Sequence, residues 1–150
     1  MPDKEAKYER IYAQIEELIN TNSNPLAKMA SINAILYHKM QNFFWVGFYL
    51  LSKNRLWAGP YQGPLACMEL KRDTGVCWAA INANKTILVP DVNKFPGHIA
   101  CDARSKSEIA LPLSDKENKI IGVLDVDSDK LNNFDEVDAV FLEKILGLIY

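Results

Sequence analysis

The sequence predicts an α+β domain whose central antiparallel sheet has about five to six strands, with the N- and C-terminal helices packed on one face. Three observations indicate this class. Apolar residues recur at helical spacing near both ends of the chain, short strand-like runs fill the middle, and prolines and glycines interrupt the region between these runs. The length of 150 residues is that of one domain, so we expect residues 1–150 to fold as a single unit.

The helices are predicted from periodicity and from capping residues. Apolar residues recur every three to four positions near the start of the chain, which predicts an amphipathic helix over about residues 4–20. Asn24 followed by Pro25 is typical of an N-cap and a first helical turn, and it predicts a second helix that ends near residue 41. Asp135 can cap a last helix, which follows the apolar stripe at the C-terminus.

The strands are predicted from short apolar runs bounded by turn residues. Residues 43–51 are apolar on both faces, as in a central strand, and residues 55–58 are expected to pair back on them as a hairpin. Further strands are predicted at 86–89, 107–113 and 119–127. A short helix over 75–83 lies inside the irregular stretch from 60 to 105, and irregular segments of that length are usually functional.

The charge pattern argues against nucleic acid and membranes as partners. Seventeen basic residues and nineteen acidic ones give a net charge of −2, and they are interleaved rather than clustered. The most apolar run, residues 43–51, is about half the length of a membrane-spanning helix. The N-terminus has no apolar core of a signal peptide, so we expect a cytoplasmic protein.

The three cysteines, Cys67, Cys77 and Cys101, all lie in the irregular stretch. An odd number in a reducing compartment argues against structural disulfides, so the thiols are either buried apolar groups or part of the chemistry. No Cys-x-x-Cys is present, which excludes a zinc ribbon or a thioredoxin-type motif. A metal site formed by His98 and the three cysteines remains a minor alternative, because metal ligands are normally closer in sequence.

Cys101 has the setting most suggestive of a reactive thiol. It follows the turn-forming sequence of residues 95–100, which is expected to hold the chain in a fixed and partly exposed path. The positive charge available on His98 and Arg104 would favour a thiolate, whereas the charge of Asp102 would oppose it. Sequence alone leaves the balance of these charges open.

Three carboxylates are expected to converge at one end of the last hairpin. Asp125 and Asp127 alternate along one strand and therefore share a face of the sheet. If the strands pair through a turn at 114–118, Glu108 lies nearly opposite Leu124 and beside Asp125. Carboxylates held together raise one another's pKa, as a general acid requires, and they also suit a cationic substrate group. The alternative is that the strand ends near Leu124 and both aspartates are solvated.

Several blocks of the sequence carry a family resemblance. They are Trp45-Val-Gly-Phe-Tyr, Gly59-Pro-Tyr-Gln-Gly with Ala66-Cys67, Gly75-Val-Cys77, Val89-Pro-Asp-Val, Phe95-Pro-Gly-His-Ile-Ala-Cys101-Asp, Ser105-Lys-Ser-Glu-Ile and Ile121-Gly-Val-Leu-Asp-Val-Asp-Ser. With these blocks the chain resembles the free methionine-(R)-sulfoxide reductases, small enzymes with the GAF fold. The resemblance covers the chain from about residue 42 to the final helix, and it implies a GAF-like domain.

The resemblance implies roles for all three cysteines. Cys101 matches the nucleophile that attacks the sulfoxide sulfur and is left as a sulfenic acid. Cys67 matches the resolving cysteine that condenses with it to a disulfide, and Cys77 matches a second cysteine that can also take part. Thioredoxin would reduce the disulfide by thiol exchange, so the expected activity requires no bound cofactor.

The resemblance also assigns the substrate-binding residues. Glu108, Asp125 and Asp127 match acidic residues that bind and polarise free methionine sulfoxide, and Trp45 matches an indole that packs on the substrate methyl group. One departure is Trp78, which stands where the family usually has glycine. The resemblance therefore predicts that this indole crowds the pocket or reshapes its wall.

Other functions compete with this hypothesis. The chain is alternatively a non-catalytic GAF module that senses a small ligand, or a redox-sensing or metal-binding interaction protein without turnover. We also expect a homodimer, because GAF domains can pair through their helices.

Overall fold

The computed structural model describes residues 3–21, 23–98 and 101–150, and the elements below lie within them. The helices are α1 (Lys4–Ile19), α2 (Pro25–Lys39), α3 (Gly75–Ala83) and α4 (Glu136–Leu146). The strands are β1 (Trp45–Ser52), β2 (Arg55–Gln62), β3 (Glu69–Leu70), β4 (Ile87–Val89), β5 (Ser107–Ser114) and β6 (Ile120–Ser128). The predicted helix over 75–83 is confirmed as α3. Residues 99 and 100, which belong to the family block that ends at Cys101-Asp, lie outside the described residues.

The six strands form one antiparallel sheet in the order β3-β2-β1-β6-β5-β4, which confirms the predicted class and strand number. β2 continues to Gln62, beyond the predicted end at residue 58. The predicted strand is shorter because Gly59 and Pro60 are unfavourable inside a strand. In the structure the register of β1 and β2 shifts between Gly47 and Tyr49, and a bulge of this kind accommodates the glycine and the proline.

The two faces of the sheet carry separate hydrophobic clusters. The helices α1, α2 and α4 pack on one face, as predicted for the terminal helices, over strand residues such as Phe48, Leu111 and Leu124. Helix α3 packs on the opposite face over Tyr49 and Val123. Alternation along the strands explains the division, because neighbouring residues point to opposite faces. The three cysteines all belong to the α3 side of the sheet or to the loops beside it.

Side-chain caps begin two of the helices as the sequence predicts. The Asn24 carboxamide oxygen accepts hydrogen bonds from the backbone N–H groups of Leu26 and Ala27, and Pro25 occupies the first turn of α2. Asp135 caps α4 with a reciprocal capping box. Within the described residues, no helix has the length and hydropathy needed to cross a bilayer.

A buried carboxylate joins the first helix to the last. Asp138 is fully buried, and it accepts hydrogen bonds from the Tyr8 hydroxyl at 2.6 Å and from Lys4 Nζ at 2.8 Å. It also accepts the backbone N–H of Asp135 at 2.9 Å. A buried charge is tolerated only when it is paired in this way, so Asp138 determines how α1 docks on α4.

The substitution Asp138→Ala should lower the free energy of unfolding by about 3 kcal/mol, because it leaves a buried hydroxyl and a partly buried ammonium without their acceptor. Urea denaturation of the purified protein measures this loss. Glu136→Ala removes an exposed carboxylate two residues earlier in the same helix and should leave the midpoint close to that of the wild type. Equal midpoints for the two variants would contradict the assigned role of Asp138.

Candidate active site

The hairpin of β5 and β6 brings the three predicted carboxylates together, but the two strands pair in a register that differs from the predicted one. Glu108 on β5 lies opposite Asp127 on β6, and not opposite Leu124 as the sequence predicted. Asp125 follows on the same face, opposite Ala110. β6 continues to Ser128, so the alternative in which the strand ends near Leu124 is wrong.

The physical reason for the different register lies in the turn. The backbone N–H of Asp115 donates to the Lys119 carbonyl, and the Asp115 carboxylate accepts the backbone N–H groups of Glu117 and Lys119. Asn118 adopts a left-handed conformation with φ of 63°, and the register shifts again beyond Leu113. These two local irregularities move the pairing by three residues and cannot be deduced from the apolar pattern.

Burial makes these carboxylates difficult to ionise. Glu108 is 5 % exposed and Asp125 is 4 % exposed, whereas Asp127 is partly exposed. Burial, followed by the charge of Asp127, raises the pKa of Glu108 to about 8. Burial and the neighbouring carboxylates also raise the pKa values of Asp125 and Asp127 well above their ordinary range. At neutral pH the group therefore holds protons that it can donate.

A disulfide joins Cys67 to Cys101 across 34 residues of sequence, with the two Cα atoms 5.5 Å apart. Cys101 is exposed and Cys67 is partly buried, and Cys101 contributes to the wall of the same pocket as the carboxylates. This pairing agrees with the one implied by the family resemblance. It also removes both sulfurs from the metal site considered for His98 and the three cysteines, so the structure does not support that alternative.

Cys77 remains a free thiol and is buried at the start of α3. Its sulfur and one oxygen each of Glu108 and Asp125 lie within 4.8 Å of one another. Burial, followed by the charges of Asp125 and Glu108, raises the pKa of the thiol well above its ordinary value. In this structure Cys77 is therefore a neutral group beside the acids.

The expected cationic surroundings of Cys101 are only partly present. The Arg104 guanidinium forms hydrogen bonds with both oxygens of Asp102, at 2.8 and 3.0 Å, and it lies over the ring of Phe44. This pairing lowers the pKa of Asp102 to about 2. The positive charge of Arg104, which was expected to act on the Cys101 thiol, is therefore paired with Asp102. Burial lowers the pKa of His98, which favours its neutral form at pH 7.

Trp45 forms an aromatic wall of the pocket. Its ring stacks on Tyr49 with centroids 5.6 Å apart and on Tyr61 with centroids 5.2 Å apart. The indole N–H donates to the carbonyl of Pro64 at 3.1 Å, which ties the wall to the loop that carries Cys67. Gly63 permits this close approach, because a side chain at its φ of 129° would meet the Trp45 ring at 2.9 Å.

The prediction that Trp78 crowds the pocket is wrong. Neighbouring residues on a helix point about 100° apart, so Cys77 faces the pocket and Trp78 faces the end of β3. The Trp78 side chain is buried, and its indole N–H donates to the Leu70 carbonyl at 3.4 Å. In the described part of the chain, the pocket wall next to α3 is formed by Thr74 to Cys77.

The pocket residues that were not predicted from the sequence include Tyr49 and Ser105. Tyr49 lines the pocket beside Trp45, and the strand period of two could have indicated it, because the two residues share one face of β1. Ser105 donates a hydrogen bond to Asp127 at 3.3 Å. No pattern in the sequence indicates that contact, because Ser105 lies in an irregular segment.

Comparison with known proteins places this geometry in a family. The GAF domain family matches residues 34–149. The chain is 53 % identical to GAF domain-containing protein A of Dictyostelium discoideum, over 97 % of this chain and 92 % of that protein. It is 37 % identical to the free methionine-R-sulfoxide reductase of Saccharomyces cerevisiae, over 98 % of this chain and 86 % of the relative. It is 44 % identical to the Escherichia coli protein of that name, over 81 % and 73 % of the two chains.

The solved structures agree. The structure of the Neisseria meningitidis free methionine-R-sulfoxide reductase in complex with its substrate superposes with a TM-score of 0.94 and is 39 % identical, covering 99 % of this chain and 89 % of the other. The fold and the family match over residues 34–149 together show that the chain is a GAF domain. At these identities and coverages, the chain belongs to the free methionine-R-sulfoxide reductase family, a family of oxidoreductases.

The raised pKa of Glu108 predicts that stability falls as the pH rises. The folded protein retains a proton that the unfolded chain releases near the ordinary pKa of 4.5, so stability is lost between about pH 4.5 and pH 8. The replaced side chain of the Glu108→Gln variant cannot ionise. Its free energy of unfolding should therefore fall less over this pH interval than that of the wild type, and the difference should be on the order of 2 kcal/mol.

Urea denaturation of the disulfide-bonded forms at pH 5 and at pH 8 measures this difference. The matched control Glu117→Gln replaces an exposed carboxylate in the turn of the same hairpin and should keep the pH dependence of the wild type. A Glu108→Gln variant with the full pH dependence of the wild type would contradict the prediction.

Proposed function

We propose that this chain reduces free L-methionine-(R)-sulfoxide to methionine. The observation that carries the proposal is a disulfide between Cys67 and Cys101 beside a pocket that holds Glu108, Asp125 and Asp127. A thiol pair supplies two electrons, and a group of protonated carboxyls supplies the proton that a sulfoxide oxygen needs as it leaves. The relatives that bear the name of this activity support the same substrate.

In the first step, Cys101 attacks the sulfoxide sulfur as a thiolate. The sulfur–oxygen bond breaks, the oxygen passes to the sulfur of Cys101, and methionine leaves with its sulfur reduced by two electrons. Cys101 becomes a sulfenic acid, the first reversible stage of cysteine oxidation. Its exposure in the structure gives substrate access to the sulfur.

In the second step, the Cys67 thiol attacks the sulfenic acid. The new sulfur–sulfur bond forms as the oxygen departs as water, which leaves the disulfide seen here. We propose thioredoxin as the dithiol that restores both thiols, with no bound cofactor needed by the chain. Cys77 remains a proposed further participant in thiol exchange, for which it would have to leave its buried position.

We propose that the other pocket residues donate the proton and bind the substrate. Glu108, whose pKa is raised to about 8, holds the proton that the sulfoxide oxygen receives, assisted by Asp127 opposite it. Asp125 is placed to accept the substrate ammonium, because its Oδ1 atom has no partner among the described side chains. The Trp45 face would contact the apolar methyl end of the substrate and exclude water.

The decisive assay compares free methionine-(R)-sulfoxide, its (S) epimer and peptide-bound sulfoxide, with dithiothreitol as the reductant. Turnover should be confined to the free (R) epimer and should disappear in Cys101→Ser, because that variant lacks the attacking sulfur. Circular dichroism checks that the variant is folded. Multiple turnover by Cys101→Ser would contradict the nucleophile. The absence of turnover with every substrate would favour the alternative of a non-catalytic GAF module.

Removal of the resolving thiol should separate the two steps. With thioredoxin as the reductant, we expect Cys67→Ser together with Cys77→Ser to release one methionine per chain and then stop, because the sulfenic acid has no thiol partner. The single variants show which cysteine forms the disulfide faster. The measurement is methionine released per chain in rapid-quench experiments. Unchanged steady-state turnover in the double variant would contradict the disulfide cycle.

We further propose that the chain acts in the cytoplasm, where thioredoxin is reduced.

We also propose that the chain forms a homodimer through its helical layer. Three apolar side chains on three different helices support the homodimer, because each is about half exposed; they are Leu18, Leu26 and Val140. Sedimentation equilibrium should give twice the mass of one chain, and Leu26→Asp should weaken the association. A monomer at all concentrations would contradict the homodimer.

A further inference from the structure

The pocket brings together one sulfur and two carboxylate oxygens, a mixture of donors that suits a borderline-soft divalent ion such as Zn²⁺. The sulfur of Cys77 and one oxygen each of Glu108 and Asp125 lie within 4.8 Å of one another, and all three residues are buried. They come from three different elements, namely α3, β5 and β6. The sequence does not indicate that these three residues lie together, because they are up to 48 positions apart and do not have the spacing of a known metal-binding motif.

A second observation points to a missing positive partner at the same place. Asp125 is 4 % exposed, and its Oδ1 atom has no hydrogen-bond partner in the described part of the chain. A buried acceptor without a donor costs free energy, which a proton, an ammonium group or a metal ion can offset. The thiol next to it favours a metal that accepts sulfur.

We propose that Cys77, Glu108 and Asp125 bind Zn²⁺ or a similar soft divalent cation, which then competes with the substrate. One thiolate and two carboxylates are ligand types that zinc accepts, and the fourth tetrahedral position would open to the pocket. Bond lengths of about 2.0–2.3 Å place tetrahedral ligands roughly 3.4–3.6 Å apart. Because the three atoms lie within 4.8 Å of one another, the side chains need to close by no more than about 1.4 Å.

Competition follows from the overlap of the two sites. The proposed function assigns Glu108 and Asp125 to the sulfoxide oxygen and the ammonium, so a metal ion bound there occupies the position of the substrate. This part of the inference rests on the proposed function. The binding of the metal itself does not, because it depends only on the geometry of the three side chains.

The disulfide allows an unambiguous binding experiment. All three cysteines lie in the described residues, and Cys67 and Cys101 are bonded to each other. Cys77 is therefore the one free thiol of the oxidised chain. Any thiolate–metal bond formed by the oxidised protein must involve Cys77, whereas the reduced protein offers two further thiols that would confuse the result.

The experiment titrates the disulfide-bonded protein with Zn²⁺ by calorimetry, and with Co²⁺ by absorption spectroscopy as a probe of thiolate ligation. We expect one metal ion per chain and a thiolate-to-cobalt charge-transfer band. Cys77→Ala should lose the band, and Asp125→Asn should weaken binding on the order of tenfold or more. Asp102→Asn, which removes the charge of another pocket carboxylate, should retain the affinity of the wild type.

Three results would overturn the metal site: no metal uptake by the folded oxidised chain, a band that persists in Cys77→Ala, or equal losses in Asp125→Asn and Asp102→Asn. Cys77→Ser, which keeps a polar group at that position, provides a second test if the alanine variant is unfolded. In turnover assays run side by side, Zn²⁺ should raise the KM of the wild type without changing its kcat and should have less effect on the KM of Cys77→Ala, because zinc bound by the reductant or by the other two cysteines affects both proteins alike. A change in kcat alone would overturn the competition. A chain that binds metal without any turnover would contradict the proposed function instead.

Discussion

The pairing of β5 with β6 is the constraint on which the site depends. It places Glu108 opposite Asp127 and beside Asp125, on the sheet face that α3 covers. Three carboxyl groups in such a position cannot all ionise, because burial and mutual repulsion both disfavour charge. Carboxyl groups that hold protons at neutral pH therefore lie next to a disulfide. This arrangement suits a reductive reaction and contributes nothing to hydrophobic packing.

The rest of the fold supports this hairpin from both sides. β1 pairs with β6 through Trp45 and Asp127, so the aromatic wall and the acids share one register. On the opposite face, α1, α2 and α4 form the larger hydrophobic cluster, and the network around Asp138 joins the first of these helices to the last. The larger hydrophobic cluster on that face helps to offset the cost of burying the polar groups of the site.

Much of the fold could be predicted from local patterns. The helical stripes, the caps at Asn24 and Asp135, and the buried run of β1 were visible because periodicity and capping act over a few residues. The bulge in β2, the two-residue strand β3 and the hairpin register were not, because they depend on pairing between strands. The direction of Trp78 was also mistaken, since it depends on how α3 is rotated against the sheet.

The class of fold, the family blocks and the types of residue that carry the chemistry could all be predicted from the amino-acid sequence. Which of these residues come into contact depends on the three-dimensional structure. It joined Cys67 to Cys101, engaged Arg104 with Asp102, and placed Cys77 among the acids. The physical reason is that reactivity here depends on burial and on distances between atoms far apart in sequence. Local propensity carries no information on either quantity.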